Sequence, residues 1–216
     1  MGALGIFALP NFISPDGDAS GALIFLGSII LATIVAYLFT LLFYKEEANV
    51  ESTSSTLLSK PYGVLKDSTV YSPLSGEVLP LEEAQDAAFS EGALGQGVMI
   101  LPNENIVYAP FDGKVKMIFP TKHAIGLEDE AGVEVLIHVG IDTVELQGEG
   151  FSTNLKVGDT VKKGQEILRF DKEFIQASGF SLQTPIVVTN SNDFTDVLEL
   201  KKGEIIANEA LLTVTA

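Results

Sequence analysis

The pattern of apolar and polar positions first singles out an uncharged run near the N-terminus. Residues 22–44, ALIFLGSIILATIVAYLFTLLFY, contain no charged side chain, and apolar residues would cover every face of the helix that they form. Such a helix is about 34 Å long, enough to cross a hydrocarbon core of about 30 Å. The run is too long for the apolar h-region of a signal peptide, no Lys or Arg precedes it and no A-x-A cleavage site follows. We therefore predict an N-terminal transmembrane α-helix over residues 22–44.

The pattern changes twice after this run. Residues 45–66, KEEANVESTSSTLLSKPYGVLK, are rich in Ser, Thr and Glu and contain a proline near their end, which is typical of a flexible linker. From residue 67 onward, short runs of Val, Ile, Leu and Tyr are broken by Gly, Pro and Asp, which indicates an all-β domain. Residues 80–92 and 170–179 contain helix formers and end in Gly, so each stretch predicts a helical turn.

The β region contains an internal repeat. VYSPLSGEV at 70–78 and VYAPFDGKV at 107–115 keep Val, Tyr, Pro, Gly and Val at the same spacing. A second pair, LKVGDTVKKGQEIL at 155–168 and LKKGEIIANEAL at 200–211, alternates strand residues with a glycine turn. Repeated β units of this kind predict an antiparallel β-sandwich, with two sheets stacked in approximate internal symmetry.

One of the two histidines lies inside an apolar strand. Residues 132–140, GVEVLIHVG, alternate between two sets of side chains, as a strand with one core face does. The core set is Val133, Val135, Ile137 and Val139. The opposite set is Glu134, Leu136, His138 and Gly140. We therefore predict that the imidazole of His138 lies on the face turned away from the core, where Gly140 leaves room above the strand.

The other histidine, His123, lies in FPTKHAIGL, between apolar residues and two positions after Thr121. The residues alone do not say whether the two imidazoles meet. If they meet, a neutral imidazole could accept and pass on a phosphoryl group, while the second imidazole and a hydroxyl stabilise the phosphoryl oxygens. Alternatively, the two histidines and a carboxylate could hold zinc.

Two further alternatives have weaker support. The first is a β-sandwich zinc peptidase, but the H-x-H spacing of such enzymes does not occur in this sequence. The stretch VGDTVKKGQEIL at 157–168 could form a biotinyl or lipoyl carrier hairpin, but such a carrier needs a lysine exposed at a tight turn, and DGKVKMIF does not provide that arrangement.

Charge narrows the classes of partner. The formal net charge of −16 argues against a nucleic-acid-binding surface and favours a basic partner or a well-solvated surface. The chain contains no cysteine, which fits a reducing compartment. Lys45 follows the apolar run beside Glu46 and Glu47, which count little in the positive-inside rule, so charge favours a cytoplasmic C-terminal part only weakly.

Several motifs together resemble one known family. SPLSGEV, APFDGKV, TKHA, GVEVLIHVGIDTVELQGEGF, VGDTVKKGQEI and TPIVVTN are similar to the glucose-type enzyme IIA domain of the bacterial phosphoenolpyruvate–sugar phosphotransferase system. The resemblance covers roughly residues 67–215, and we predict an enzyme IIA domain over 67–216. It implies a phosphotransferase component, which is not a complete enzyme by itself, and it implies no cofactor.

The resemblance also implies roles for individual residues. His138 would accept a phosphoryl group from the phosphohistidine of HPr and pass it to a cysteine of a IIB domain. His123 would orient and stabilise that group, with Thr121 within hydrogen-bond reach of its imidazole. Asp142 would tune the local electrostatics or contact partners. No metal is required, although the two imidazoles could bind zinc adventitiously.

The resemblance further implies an apolar surface around the histidines that binds HPr. The corresponding positions are Ala87, Ala88, Phe89, Leu94, Phe119 and Leu136. The alternative for each of them is ordinary sandwich core.

The N-terminal part resembles the end of a IIC membrane domain of the β-glucoside, sucrose and trehalose types. That resemblance assigns residues 1–44 to a IIC-like segment and implies HPr, a IIB domain and a IIC domain as partners. It places the chain at the bacterial inner (plasma) membrane, with the IIA domain in the cytoplasm. The alternative function is a regulatory IIA-like domain attached to a membrane transporter and controlled by its phosphorylation state.

Overall fold

The computed structural model describes residues 66–216. The predicted IIC-like segment at 1–44, its predicted transmembrane helix and all of the predicted linker except Lys66 lie outside the described residues. Among residues 66–216, no helix has the length and apolar character needed to cross a membrane.

The described residues form an almost entirely β domain. Its strands are β1 (Ser68–Tyr71), β2 (Gly76–Pro80), β3 (Gln96–Pro102), β4 (Ile106–Tyr108), β5 (Gly113–Ile118), β6 (Ala124–Asp129), β7 (Glu134–His138), β8 (Phe151–Ser152), β9 (Thr160–Val161), β10 (Glu166–Phe170), β11 (Thr184–Val188), β12 (Asp196–Glu199), β13 (Gly203–Ile205) and β14 (Ala210–Thr215). The helices are α1 (Ala87–Ser90) and α2 (Lys172–Ala177), with short 3-10 turns at Leu81–Glu83, Thr143–Leu146 and Ser191–Asp193. Both helical stretches predicted from the sequence, 80–92 and 170–179, are confirmed.

The strand order reflects the sequence repeat. One eight-stranded antiparallel sheet has the order β13-β2-β3-β11-β7-β6-β5-β9, in which equivalent strands of the two halves lie symmetrically about the central β11–β7 pair. Two three-stranded sheets, β1-β14-β12 and β4-β10-β8, complete the fold. The mostly antiparallel β architecture is as predicted, but the strands form three sheets instead of two, with one small sheet per repeat.

The two repeats contact each other through reciprocal hydrogen bonds. The amide of Tyr71 donates to the carbonyl of Pro110 at 3.0 Å, and the amide of Tyr108 donates to the carbonyl of Pro73 at 2.8 Å. A proline has no N–H, so each proline can only accept a hydrogen bond at this corner. The same corner in the two repeats thus joins the start of one repeat to the start of the other.

The main core includes side chains from all three sheets. Val70, Val107, Ile137 and Leu212 are among the fully or almost fully buried residues of this cluster. All four residues predicted to face the core from the strand at 132–140 belong to it, with exposed fractions of at most 1%: Val133, Val135, Ile137 and Val139. Leu136 lies in a second apolar cluster instead, so the alternation predicted for this strand is confirmed.

Candidate functional site

The register between β6 and β7 brings the two histidines together. Ala124 pairs with His138, and the amide of Val139 donates to the carbonyl of His123 at 2.8 Å. The centroids of the two imidazole rings are 4.7 Å apart, and the ring planes make an angle of 77°. The structure thus answers the question that the residues alone left open.

The ring of His138 is half-buried and is oriented by a backbone carbonyl. Its Nδ1 lies 2.8 Å from the carbonyl oxygen of Gly140. A carbonyl oxygen can only accept, so Nδ1 carries the hydrogen and donates it. In the neutral ring, the lone pair then belongs to Nε2. His138 therefore has one nitrogen committed to the backbone and one nitrogen available as a nucleophile.

The ring of His123 is buried more deeply, with 2% of its surface exposed. Its Nδ1 lies 2.6 Å from the hydroxyl oxygen of Thr121. The ring centroids of Phe119 and His123 are 5.2 Å apart. A hydroxyl can donate to Nδ1, which leaves the hydrogen of a neutral imidazole on Nε2. In that tautomer, His123 is a hydrogen-bond donor beside His138.

Both imidazoles have lowered pKa values. Burial, and then the proximity of His138, lower the pKa of His123 from 6.5 to about 4. Burial also lowers the pKa of His138, although the hydrogen bond to Gly140 and the negative charges of Asp86 and Asp142 oppose that effect. Both rings are therefore neutral at pH 7, the form in which an imidazole nitrogen has a free lone pair.

These pKa values make the stability of the domain depend on pH. Below pH 6.5 the unfolded chain binds a proton at His123 that the folded chain does not bind until about pH 4, so the free energy of unfolding decreases as the pH falls. We expect a decrease of about 2 kcal/mol between pH 7 and pH 5 from this histidine. Urea denaturation at the two pH values measures it. His123→Gln is the matched variant, and an equal decrease in that variant would show that other groups cause the effect.

Three of the six residues predicted to surround the site lie in the second apolar cluster, on the outer face of the eight-stranded sheet. Phe89 and Leu136 are buried there, with exposed fractions of 2% and 7%, and Phe119 is partly buried. The ring centroid of Phe89 is 5.2 Å from that of His138. The Phe89 ring therefore packs against His138, and Phe89 and Leu136 belong to a cluster separate from the main core.

The other three predicted residues are more accessible. Ala87 and Ala88 lie on α1, where Ala87 is exposed and Ala88 is partly exposed. Leu94 is 38% exposed, and its amide donates to the carbonyl of Ala88 at 3.3 Å. The structure thus places this part of the predicted surface at α1 and the loop that follows it.

Two contributors to the site were not predicted from the sequence. Asp86 is the N-cap of α1, where its Oδ1 accepts from the amide of Ala88 at 2.8 Å, and its charge acts on His138. The second contributor is the carbonyl of Gly140. An Asp immediately before a helical stretch is an N-cap signal that could have located Asp86. The direction of a carbonyl depends on the local backbone dihedral angles φ and ψ, which the sequence does not state.

Asp142 is exposed and has a left-handed φ of 60°. It follows His138 with H-x-x-x-D spacing, one of the spacings associated with zinc peptidases. Within residues 66–216, however, no three His, Cys, Asp or Glu side chains are grouped in a way that could hold a metal ion. The polar groups of the site are the imidazoles of His123 and His138, the hydroxyl of Thr121 and the nearby carboxylates of Asp86 and Asp142.

Comparisons with known proteins agree with the resemblance seen in the sequence. Residues 68–194 match the family described as phosphoenolpyruvate-dependent sugar phosphotransferase system, EIIA 1. The β-glucoside-specific EIIBCA component of the phosphotransferase system of Dickeya chrysanthemi is 40% identical over 216 residues, covering 95% of this chain. The chain spans 34% of the length of that relative.

A solved structure is also similar. Glucose permease IIA from Mycoplasma capricolum has a TM-score of 0.63 and 33% sequence identity, and the match covers 68% of this chain and 96% of that chain. The sequence-based recognition is confirmed: the chain belongs to the EIIA 1 family of the phosphoenolpyruvate-dependent sugar phosphotransferase system.

Proposed function

We propose that the chain is a phosphoryl carrier of a sugar phosphotransferase system. It accepts a phosphoryl group from phospho-HPr on His138 and passes it to a cysteine of a IIB domain during sugar uptake. The observation that supports this proposal most strongly is the hydrogen bond from Nδ1 of His138 to the Gly140 carbonyl, because it leaves the Nε2 lone pair free beside a second imidazole.

The proposed transfer is a direct displacement at phosphorus. Nε2 of His138 forms a new N–P bond, the N–P bond in phospho-HPr breaks, and its electron pair returns to the imidazole of HPr. Nδ1 of His138 keeps its hydrogen throughout, so the Gly140 carbonyl stabilises the positive charge that develops on the ring. The second transfer repeats the displacement with a cysteine thiolate as the nucleophile.

In this proposal, His123 and Thr121 stabilise the oxygens of the phosphoryl group during transfer. Phosphoryl transfer depends mainly on positioning and on stabilising the charge of those oxygens. With the Thr121 hydroxyl at 2.6 Å from Nδ1, a neutral His123 can offer an Nε2 hydrogen to one of them. Because its pKa is lowered to about 4, the His123 ring is neutral at pH 7 and acts as an uncharged hydrogen-bond donor.

The surroundings of the site suit the proposed partner. The buried ring of Phe89 packs against His138, and the buried Leu136 lies two residues before it in β7. Asp86 and Asp142 place negative charge near His138. Charge of this sign attracts a basic partner such as HPr and orients its approach. The proposal includes a IIB and a IIC domain as partners, a IIC-like segment at residues 1–44, and the inner membrane as location with the domain from 67 onward on the cytoplasmic side.

Stepwise labelling tests this function. The purified full chain is incubated with phosphoenolpyruvate, enzyme I and HPr, and then with a IIB domain, and its intact mass is followed. We expect one acid-labile phosphoryl group to be gained and then lost to IIB. Acceptance without discharge would support the regulatory alternative, and no acceptance would contradict both.

The same assay separates the roles of the two histidines. We expect His123→Ala to accept the phosphoryl group but to pass it on poorly, because the donor that stabilises the transferring oxygens is missing. The rates of gain and loss of mass measure the two steps. A His123→Ala protein that discharges to IIB at the wild-type rate would contradict this role.

A further inference from the structure

The turn after His138 contains a threonine to which none of the roles above has been assigned. Thr143 is fully buried, and its hydroxyl donates to the carbonyl of Val139 at 2.7 Å. Its methyl group lies against Gly140, where a Cβ atom added to the glycine would be only 2.4 Å from Cγ2 of Thr143. The two arms of one side chain therefore contact the two residues that directly follow the histidine.

These contacts lie next to the Gly140 carbonyl, which orients the ring of His138. Gly140 has a left-handed φ of +77°. The turn is held on both sides by backbone hydrogen bonds. The amide of Val139 donates to the carbonyl of His123 at 2.8 Å, and the amide of Ile141 donates to the carbonyl of Ser181 at 3.2 Å. Between these anchors, the carbonyl of Gly140 is directed back toward Nδ1 of His138. The hydrogen bond from the Thr143 hydroxyl to the Val139 carbonyl joins the two ends of the segment 139–143, which contains Gly140.

We propose that Thr143 is a positioning residue that acts on His138 through the Gly140 carbonyl. Its hydroxyl holds the turn so that this carbonyl accepts from Nδ1, which keeps the neutral ring in the tautomer with its lone pair on Nε2. The consequence for phosphoryl transfer rests on the function proposed above, whereas the effect on the tautomer does not.

Two substitutions separate the arms of the side chain. Thr143→Val keeps both branches of the side chain in shape and removes the hydroxyl, whereas Thr143→Ser keeps the hydroxyl and removes the methyl group. The tautomer of His138 is read in the unphosphorylated full chain at pH 7 from the ¹⁵N shifts and couplings of its imidazole. The rate of phosphorylation is measured over a range of phospho-HPr concentrations.

We expect the ratio of the Nδ1–H to the Nε2–H tautomer to fall about two- to tenfold in Thr143→Val, the range that the loss of one hydrogen bond produces. The maximal rate of phosphorylation falls as the reactive tautomer is depleted, while the KM for phospho-HPr stays unchanged, because Thr143 is buried beneath the surface. Thr143→Ser behaves like wild type in both readouts.

A wild-type tautomer ratio in Thr143→Val would overturn the proposal, and so would a Thr143→Ser protein as impaired as the valine variant. If Thr143→Val does not fold, Thr143→Ala and Thr143→Ser repeat the comparison, because both lack the methyl group and only serine has the hydroxyl. Equal tautomer ratios in those two variants would overturn it. If wild type gains no phosphoryl group, the carrier function fails, but the tautomer comparison still decides the role of Thr143.

Discussion

His138→Gln abolishes phosphorylation of the chain by phospho-HPr. Glutamine fills much of the space of the imidazole and remains polar, but its amide nitrogen has no lone pair available for attack on phosphorus. The other imidazole does not substitute for the missing one, because His123 is 2% exposed and its Nδ1 is engaged with Thr121. Intact-mass measurement after incubation with phosphoenolpyruvate, enzyme I and HPr should show labelling at background level.

The control for this substitution is His123→Gln in the same assay. It removes an imidazole from the same site but leaves the nucleophile and its carbonyl partner in place, so it should still become labelled. Thermal unfolding of both variants shows whether either has lost its fold. A fully labelled His138→Gln protein, or an unlabelled but folded His123→Gln protein, would contradict the assignment of the two roles.

Gly140→Ala is expected to destabilise the domain and to impair the carrier. A residue with a Cβ atom pays about 1–2 kcal/mol for the left-handed backbone that Gly140 adopts at φ +77°. The added carbon would also be 2.4 Å from Cγ2 of Thr143 and 2.8 Å from the carbonyl oxygen of Ser181. Relieving that overlap costs about 1–3 kcal/mol more and moves the carbonyl that holds His138. Urea denaturation and the labelling assay measure the two effects.

A matched substitution isolates the part that comes from crowding. Gly158 has a similarly left-handed φ of +94°, but an added Cβ there would have no atom within 4 Å. We expect Gly158→Ala to lose only the backbone contribution of about 1–2 kcal/mol and to become labelled normally. If the two alanine variants lost equal stability and were labelled equally, the close approach of Thr143 and Ser181 to Gly140 would not be what excludes a side chain there.

Local patterns in the sequence were sufficient for some of this architecture. The strand at 134–138 was predicted with the correct face toward the core, because side chains alternate with a period of two whatever the neighbouring strands are. The repeat at 70–78 and 107–115 predicted the internal symmetry, since the same spacing of Pro and Gly produces the same corner twice. Neither prediction needed a long-range contact.

The meeting of the two histidines could not be derived in the same way. It depends on the register in which Ala124 pairs with His138, and a shift of one residue would send one of the two side chains to the other face. That register follows from packing across the whole domain. The resemblance to a known family supplied what the residues alone did not. The transmembrane helix predicted at 22–44 lies outside the described residues and stays a prediction.

The site of phosphorylation within the imidazole tests the central claim most directly. The full chain, labelled with ¹⁵N in its histidines, is phosphorylated by phospho-HPr, and the nitrogen coupled to phosphorus is identified by NMR. We expect the coupling at Nε2 of His138, with a hydrogen retained on Nδ1 and bonded to the Gly140 carbonyl. A phosphoryl group on Nδ1 of His138, or on either nitrogen of His123, would contradict the proposed mechanism.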